Sequence, residues 1–347
     1  MPRLAVAFVL CALFAASAAR AATADLFTIS GVAVDATAES ATAARDQALA
    51  DGRPIAWQKL YRRLTPPAVW AKQPQLDDKA LQRIIRSFEV GNERRSTTRY
   101  LAEISYNFNQ AAVQRLLRQA GIPYTETQAK PALVIPVVDG KYDPAGPWVQ
   151  AWMNPSVAQG LVPAVLPTGD AQDLLVLSRA DLAQLDWTTL GPLAKRYGAA
   201  EVVIAAATGD GNAAIVTEIN ATGRQSASLA FAHSTFLATA EAASLKLAEG
   251  WKSRAAVDYS QSSRLTTEVE FASPGDWSKI RAQLSGVKSI TNLDVVGVTL
   301  HEARIQLSYF GKPDQLKDAM TQQNLEFTNA GGQYTLQLAA DASSASP

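Results

Sequence analysis

Two short apolar runs, residues 133–138 and 161–166, each end in a loop that carries an aspartate: Asp139 after the first and Asp170 after the second, with Asp173 three residues further on. Trp148 and Trp152 lie between the two runs. Open α/β sheets collect ligands beyond the carboxyl ends of their strands, which is where these side chains fall. Aromatic rings beside carboxylates suit a sugar or a peptide, and two aspartates flanking a glycosidic bond supply the acid and the base for its hydrolysis. The same residues also have a purely structural use, the tryptophans covering the sheet edge while Asp170 and Asp173 cap turns. Asp139, Trp148, Trp152, Asp170 and Asp173 are therefore ligand-binding candidates, with no catalytic residue assigned among them.

Other chemistries lack their residues. The chain has one cysteine, Cys11, and two histidines, His233 and His301, which fall in different regions. Zinc sites need several His, Cys or carboxylate ligands, and His301-Glu302 lacks the second histidine of a metalloprotease helix. No G-x-S-x-G elbow supports a Ser-His-Asp triad, and no G-x-x-x-x-G-K-[ST] loop is present. Residues 209–214 nominally fit a dinucleotide pattern, but a pyrophosphate needs a helix N-terminus after it and residues 214–219 read as a strand, so a hairpin turn is expected. Neither a metal nor a cofactor is implied.

Charge narrows the partners. The 347 residues carry 32 Lys and Arg against 32 Asp and Glu, without the basic footprint of a nucleic-acid binder. With 48% hydrophobic and 18% charged residues the chain reads as folded rather than disordered. Residues 1–21 read as a secretory signal peptide: Arg3 near the start, an apolar run over 4–19, and Ala19-Arg20-Ala21 at the cleavage site. That run is shorter than the roughly 20 apolar residues that span a bilayer, and Phe8-Val9-Leu10 does not suit lipidation at Cys11. Cleavage after Ala21 removes Cys11, Arg3 and Arg20, leaving two more acids than bases and no cysteine. The expected location is the periplasm, with no transmembrane segment after cleavage.

The elements that must hold these side chains fall into three regions. Over 25–122 the pattern predicts a strand at 27–34 with a bulge at Gly31, then a helical stretch over 41–64 kinked or split by Gly52 and Pro54. A helix capped by Asp77 should bury Leu81, Ile84, Ile85 and Phe88, followed by an alternating strand at 100–108 and a helix from the cap Asn109 to Gly121. Residues 123–130 read as a polar linker. Over 131–255 a continuous apolar strand implies a sheet covered on both faces. A short helix at 148–157, a second strand at 161–166, a helix ending at Gly198, a three-strand meander and a long helix over 234–251 complete a mixed α/β sheet. Over 264–338 the order is βαββαβ, ferredoxin-like, with Asp276 capping its first helix and Phe271–Asp276 echoed by Tyr309–Asp314. Residues 339–347 form a small, polar tail expected to be disordered. The fold class is thus α/β and α+β in three small modules.

Order and spacing also carry a family likeness. Ala44-Arg45 with Ala48, Tyr61-Arg62-Arg63-Leu64, and Tyr106-Asn107-Phe108 through Leu116-Leu117 to Gly121 form its first part. Ile135-Pro136-Val137, Trp148 with Trp152, Leu161-Val162-Pro163, 166–170 with Asp173, and Arg196-Tyr197-Gly198-Ala199 continue it. The chain resembles the bacterial envelope family catalogued as domain of unknown function 2066 over about 26–251, and its last region resembles that family's usual ending. Gly52-Pro54 and Gly191-Pro192 depart from the uninterrupted helices the likeness implies. The resemblance implies an exported protein and supplies no activity or catalytic residues. At the level of fold alone, the middle region is similar to the α/β domains of periplasmic assembly proteins. The resulting expectation is a non-catalytic binding or scaffold protein of the cell envelope with a protein or glycan partner; an envelope-glycan hydrolase and a periplasmic solute-binding protein are the alternatives.

Overall fold

Three β-sheets, of three, five and five strands, frame residues 26–339, the part of the chain that the computed structural model describes. Residues 1–21, read above as a signal peptide and containing Cys11, and the residues from 340 onward lie outside the described residues. The first sheet begins with β1 (Thr28–Thr37), where Ile29, Val32, Val34 and Ala36 face inward. The bulge falls where Gly31, at φ +66°, shifts the register between Ile29 and Val32. Ser40 caps α1 (Ala41–Leu64), its hydroxyl accepting from Ala43 N at 3.2 Å. Gly52 and Pro54 do not split α1 into two helices: Ala44, Ala48, Gly52, Ala56 and Leu60 form one buried stripe at fourfold spacing. Packing along that stripe offsets the hydrogen bond that Pro54 removes.

Asp77 does cap α2 (Asp78–Ile84), accepting from Ala80 N at 2.7 Å. The helix ends early, however, and passes directly into β2 (Ile85–Arg95), which leaves Phe88 on a strand and 42% exposed instead of buried. Strand β2 is an edge held by backbone pairing to β3 (Arg99–Phe108), so its side chains show no apolar alternation. The sheet order is β1-β3-β2, and α3 (Gln110–Gln119) follows behind the cap Asn109.

In the middle region β4 (Ala132–Val138) is buried over nearly its whole length. After it come α4 (Pro147–Met153), α5 (Pro155–Ala158) and β5 (Ala164–Val165), a strand of two residues because Pro163 has no N–H to extend it. Helix α6 (Ala171–Leu177) has no counterpart in the sequence expectation. Helix α7 (Trp187–Arg196) runs on through Gly191-Pro192 without a break. The meander of β6 (Glu201–Ala207), β7 (Ala213–Asn220) and β8 (Gly223–Ala230) precedes α8 (Phe236–Ala255). The order is β5-β4-β6-β7-β8, parallel through β6 and antiparallel beyond it. Apolar layers cover both faces: Trp148, Trp152 and α8 on one, Leu177, Leu190 and Leu193 on the other.

The last sheet is built from β9 (Ser262–Glu270), α9 (Pro274–Ser285), β10 (Ile290–Val298), β11 (Glu302–Phe310), α10 (Pro313–Gln322), β12 (Leu325–Ala330) and β13 (Gln333–Leu338). Its order is β10-β11-β9-β13-β12, with β13 parallel to β9 and the other pairs antiparallel. Strand β12 was not anticipated, and with it the region reads βαββαββ; the turn Gly331-Gly332, at φ +61° and +91°, is what joins it to β13. Ser273, not Asp276, caps α9: its hydroxyl accepts from Asp276 N at 3.2 Å and donates to the Asp276 carboxylate at 2.8 Å.

Residues 123–130 are not a free linker. Tyr124 exchanges backbone hydrogen bonds with Val257, Thr125 N donates to Leu64 O, Ala129 N donates to Leu161 O, and Lys130 N reaches Gln322 Oε1. Tyr124 stacks on Tyr259 at 4.8 Å between ring centres, with the Arg118 guanidinium 4.4 Å from the Tyr259 ring. Polar side chains made this segment look solvated, whereas its backbone groups hold three regions together.

One close approach tests the first core. Tyr106 Oη donates to Leu49 O at 2.9 Å across Gly52, and a Cβ at Gly52 would overlap that hydroxyl. Gly52→Ala should therefore destabilise the chain by about 1–3 kcal/mol despite alanine's better helix propensity, and Tyr106→Phe in the same chain should recover part of that loss. Urea denaturation of the two single variants and the double variant checks both.

Candidate functional site

The loops after β4 and β5 do meet, through Tyr142 Oη donating to Pro167 O at 3.1 Å. Around them the Thr-Gly-Asp turn opens α6: Asp170 is its N-cap, accepting from Gln172 N and Asp173 N at 3.0 Å each. Asp173, in the first turn, is fully buried. Its carboxylate accepts from Tyr197 Oη at 2.6 Å, Gly169 N at 2.9 Å, Arg196 at 2.8 Å and Thr168 Oγ1 at 3.2 Å. Arg196 also pairs with both oxygens of Asp170, and its hydrogen bond holds that carboxyl well below the usual carboxylate range. The two aspartates are thus brought together on one guanidinium. Asp170 stays ionised and cannot serve as a general acid at neutral pH, and the oxygens of Asp173 are consumed by the fold.

The other three candidates go elsewhere. Trp148 and Trp152 meet edge-on at 5.8 Å in the layer under α8, at 1% and 0% exposure, with Trp148 Nε1 donating to Ala205 O at 2.8 Å. They are core side chains with no face open to a ligand. Asp139 is exposed at φ +50° in the turn after β4, next to Gly209. The hairpin reading of 209–214 holds, since Asp210 accepts from Thr208 Oγ1 and Asn212 N inside the β6–β7 turn. The five residues do not form one cleft.

A different concavity does. A cleft of about 690 Å³ lies between α1, the turn Pro67–Lys72, the segment after α5, and α8. Trp70, fixed by Nε1 donating to Thr65 O at 3.1 Å, has the Arg62 guanidinium 5.1 Å and the Lys252 ammonium 5.2 Å from its ring centre. Lys59 lies one helical turn before Arg62 on the same wall. Leu161 and Ala248, both 9% exposed, line the floor, and Leu245 opens onto the cleft at 67% exposure. Two acids also line it and are engaged locally: Glu241 accepts from Ser156 Oγ at 2.9 Å, and Glu249 pairs with Lys246 at 3.4 Å. Among the described residues neither Lys59 nor Arg62 has a carboxylate at ion-pair distance.

Lys252 is the unusual member. Only 5% exposed, it donates to Arg62 O at 2.6 Å, and burial brings its ammonium down to about 8, with Glu249 opposing the shift. No sequence signal foretold this site. Its residues come from positions 59, 62, 70, 161, 245 and 252, and the only local hint was a pair of cations one turn apart on a helix otherwise read for its apolar face. In comparisons with known proteins, no family model, no curated protein and no solved structure matches the chain. Among the described residues no helix is long and apolar enough to cross a membrane.

Two outcomes follow from these geometries. Asp173→Ala strands the donors of Tyr197, Thr168 and Gly169 and should cost about 3 kcal/mol, whereas Asp170→Ser, which keeps a capping oxygen, should leave the urea midpoint near that of the parent chain. For Lys252, the folded state penalises the charged form: below pH 8 both states carry the proton and the penalty is complete. Above pH 8 the folded state releases its proton first, so stability should climb by about 1 kcal/mol between pH 7 and pH 9. That window lies below the range where tyrosines such as Tyr106, pushed up to about 12, begin to matter. Lys252→Met should be more stable at pH 7 and should lack this rise, as denaturation at the two pH values will show.

Proposed function

We propose that the chain is a non-catalytic binding or scaffold protein of the bacterial cell envelope, exported by residues 1–21 and released into the periplasm after Ala21. The family likeness of residues 26–251 and the ferredoxin-like character of 262–338, here with a hairpin in place of the last strand, belong to the same reading. One observation carries it: the carboxylates best placed for hydrolysis are spent on a helix cap and a buried ion-pair cluster, while the cleft described above gathers Lys59, Arg62 and Lys252 beside Trp70 and the exposed Leu245. Such a cleft binds and orients, and its two lining acids, Glu241 and Glu249, are each held by a neighbour, Ser156 and Lys246. The partner is an envelope molecule, protein, glycan or lipid.

The test is to express the full chain with a C-terminal tag in a Gram-negative host and release the periplasm gently. Native mass spectrometry of the purified protein should find an N-terminus at Ala22 and a bound non-covalent partner. A chain retained in the cytoplasm, or one that is free of any partner in repeated preparations, would refute the proposal.

A further inference from the structure

A buried ammonium without a carboxylate partner is an expensive feature in a folded chain. A backbone carbonyl and the face of Trp70 offset part of the cost of burying Lys252, but they supply no counter-charge. Lys59 and Arg62, on the same lining, add positive charge, and the two acids of α8 that also line the cleft, Glu241 and Glu249, are held by Ser156 and Lys246. The apolar part of the cleft is continuous with this charge. Trp70 lies beside Arg62 and Lys252, and Leu161 together with Ala248 and the exposed Leu245 of α8 lines the same cleft.

We propose that this cleft binds a single-chain lipid phosphate, the phosphate on Arg62, Lys59 and Lys252 and the hydrocarbon along Trp70, Leu161 and Leu245. This inference rests on the binding-protein reading above and names its ligand class. Guanidinium and ammonium donors lining one cleft suit a phosphate's several oxygens. The volume of about 690 Å³ lies within the roughly 300–1,000 Å³ of small-ligand sites. An extended peptide is disfavoured because two of the walls are the long helices α1 and α8, whose interior backbone groups are already paired, which leaves no strand edge there to add to.

Isothermal titration of the purified chain with dodecyl phosphate, below its micelle concentration, tests the assignment. One molecule should bind per chain, with dodecanol and inorganic phosphate each at least about tenfold weaker. Arg62→Gln and Leu245→Glu should each weaken binding by about tenfold or more. Lys252→Met should do so too while being more stable at pH 7 than the parent, so its loss of binding cannot be a loss of folding. The proposal is overturned if dodecyl phosphate shows no saturable binding, if dodecanol binds as well, or if Arg62→Gln and Lys252→Met both bind like the parent. A partner that copurifies from the periplasm with a chain that ignores dodecyl phosphate would sink this inference and leave the binding-protein reading standing.

Discussion

Eight residues between α3 and β4 decide whether this chain is three small domains or one molecule. Tyr124 pairs its backbone with Val257 in both directions, at 3.2 and 2.9 Å, which ties the end of the first region to the segment that leaves α8. Thr125 then closes the open C-terminus of α1 by donating to Leu64 O, one of the terminal carbonyls a helix cannot satisfy internally. Trp251 Nε1 donates to Thr127 O at 2.9 Å, and Lys130 Nζ reaches Thr321 O and Asn324 Oδ1 at 2.7 Å each at the far end of α10. Each bond is modest alone, but together they pair the backbone groups that would go unsatisfied if the regions packed without them. The cleft depends on this seam, because its two long walls, α1 and α8, belong to different regions and cross no shared sheet.

The two charged clusters obey opposite rules. Around Asp173 every partner is supplied: a guanidinium, a phenol, a threonine hydroxyl and a backbone N–H converge on one carboxylate. A network completed in this way fixes the loop after β5 against α7 and has nothing left over for a ligand. Around Lys252 the compensation is partial: a carbonyl, an aromatic face and the field of Glu249, with no carboxylate at ion-pair distance among the described residues. Unmet polar demand inside a fold needs a reason, and here it lies beside a concavity of about 690 Å³ between the two regions. The contrast, more than either cluster alone, directs attention from the aspartates to the cleft.

Much of the fold was legible because burial imposes a period. The fourfold stripe of α1, the unbroken apolar β4, the β6–β8 meander and the alternation of β11 all report a single face or both faces covered. Elements held by backbone pairing alone were not legible. Strand β2 is an exposed edge, β12 buries only Leu325 and Phe327 before its exposed end, and Phe88 mimics the helix period while sitting on a strand. Trp148 and Trp152 show the same ambiguity in the site. A spacing of four puts both rings on one helix face, which fits a ligand platform and a core stripe equally well, and only the layer under α8 decides for the core. Asp170 and Asp173 come together on Arg196, which lies on another helix, out of reach of any local pattern.

The balance of 32 basic and 32 acidic side chains describes the chain and not its surface. A polyanion reads a long stretch of potential, so overall neutrality weighs against nucleic acid. A small anion reads only the few ångströms around it, where the effective dielectric is low and a pairing on the far side of a helix is nearly invisible. Glu241 and Glu249 cancel Lys59 and Arg62 in a sum over residues, yet in the cleft each is held by its own neighbour, Ser156 on α5 or Lys246 on α8, and Lys252 with Arg63 leaves the lining with more cations than acids. Neutral composition and a locally positive cleft are therefore compatible, and it is the arrangement of pairs rather than their number that selects the ligand.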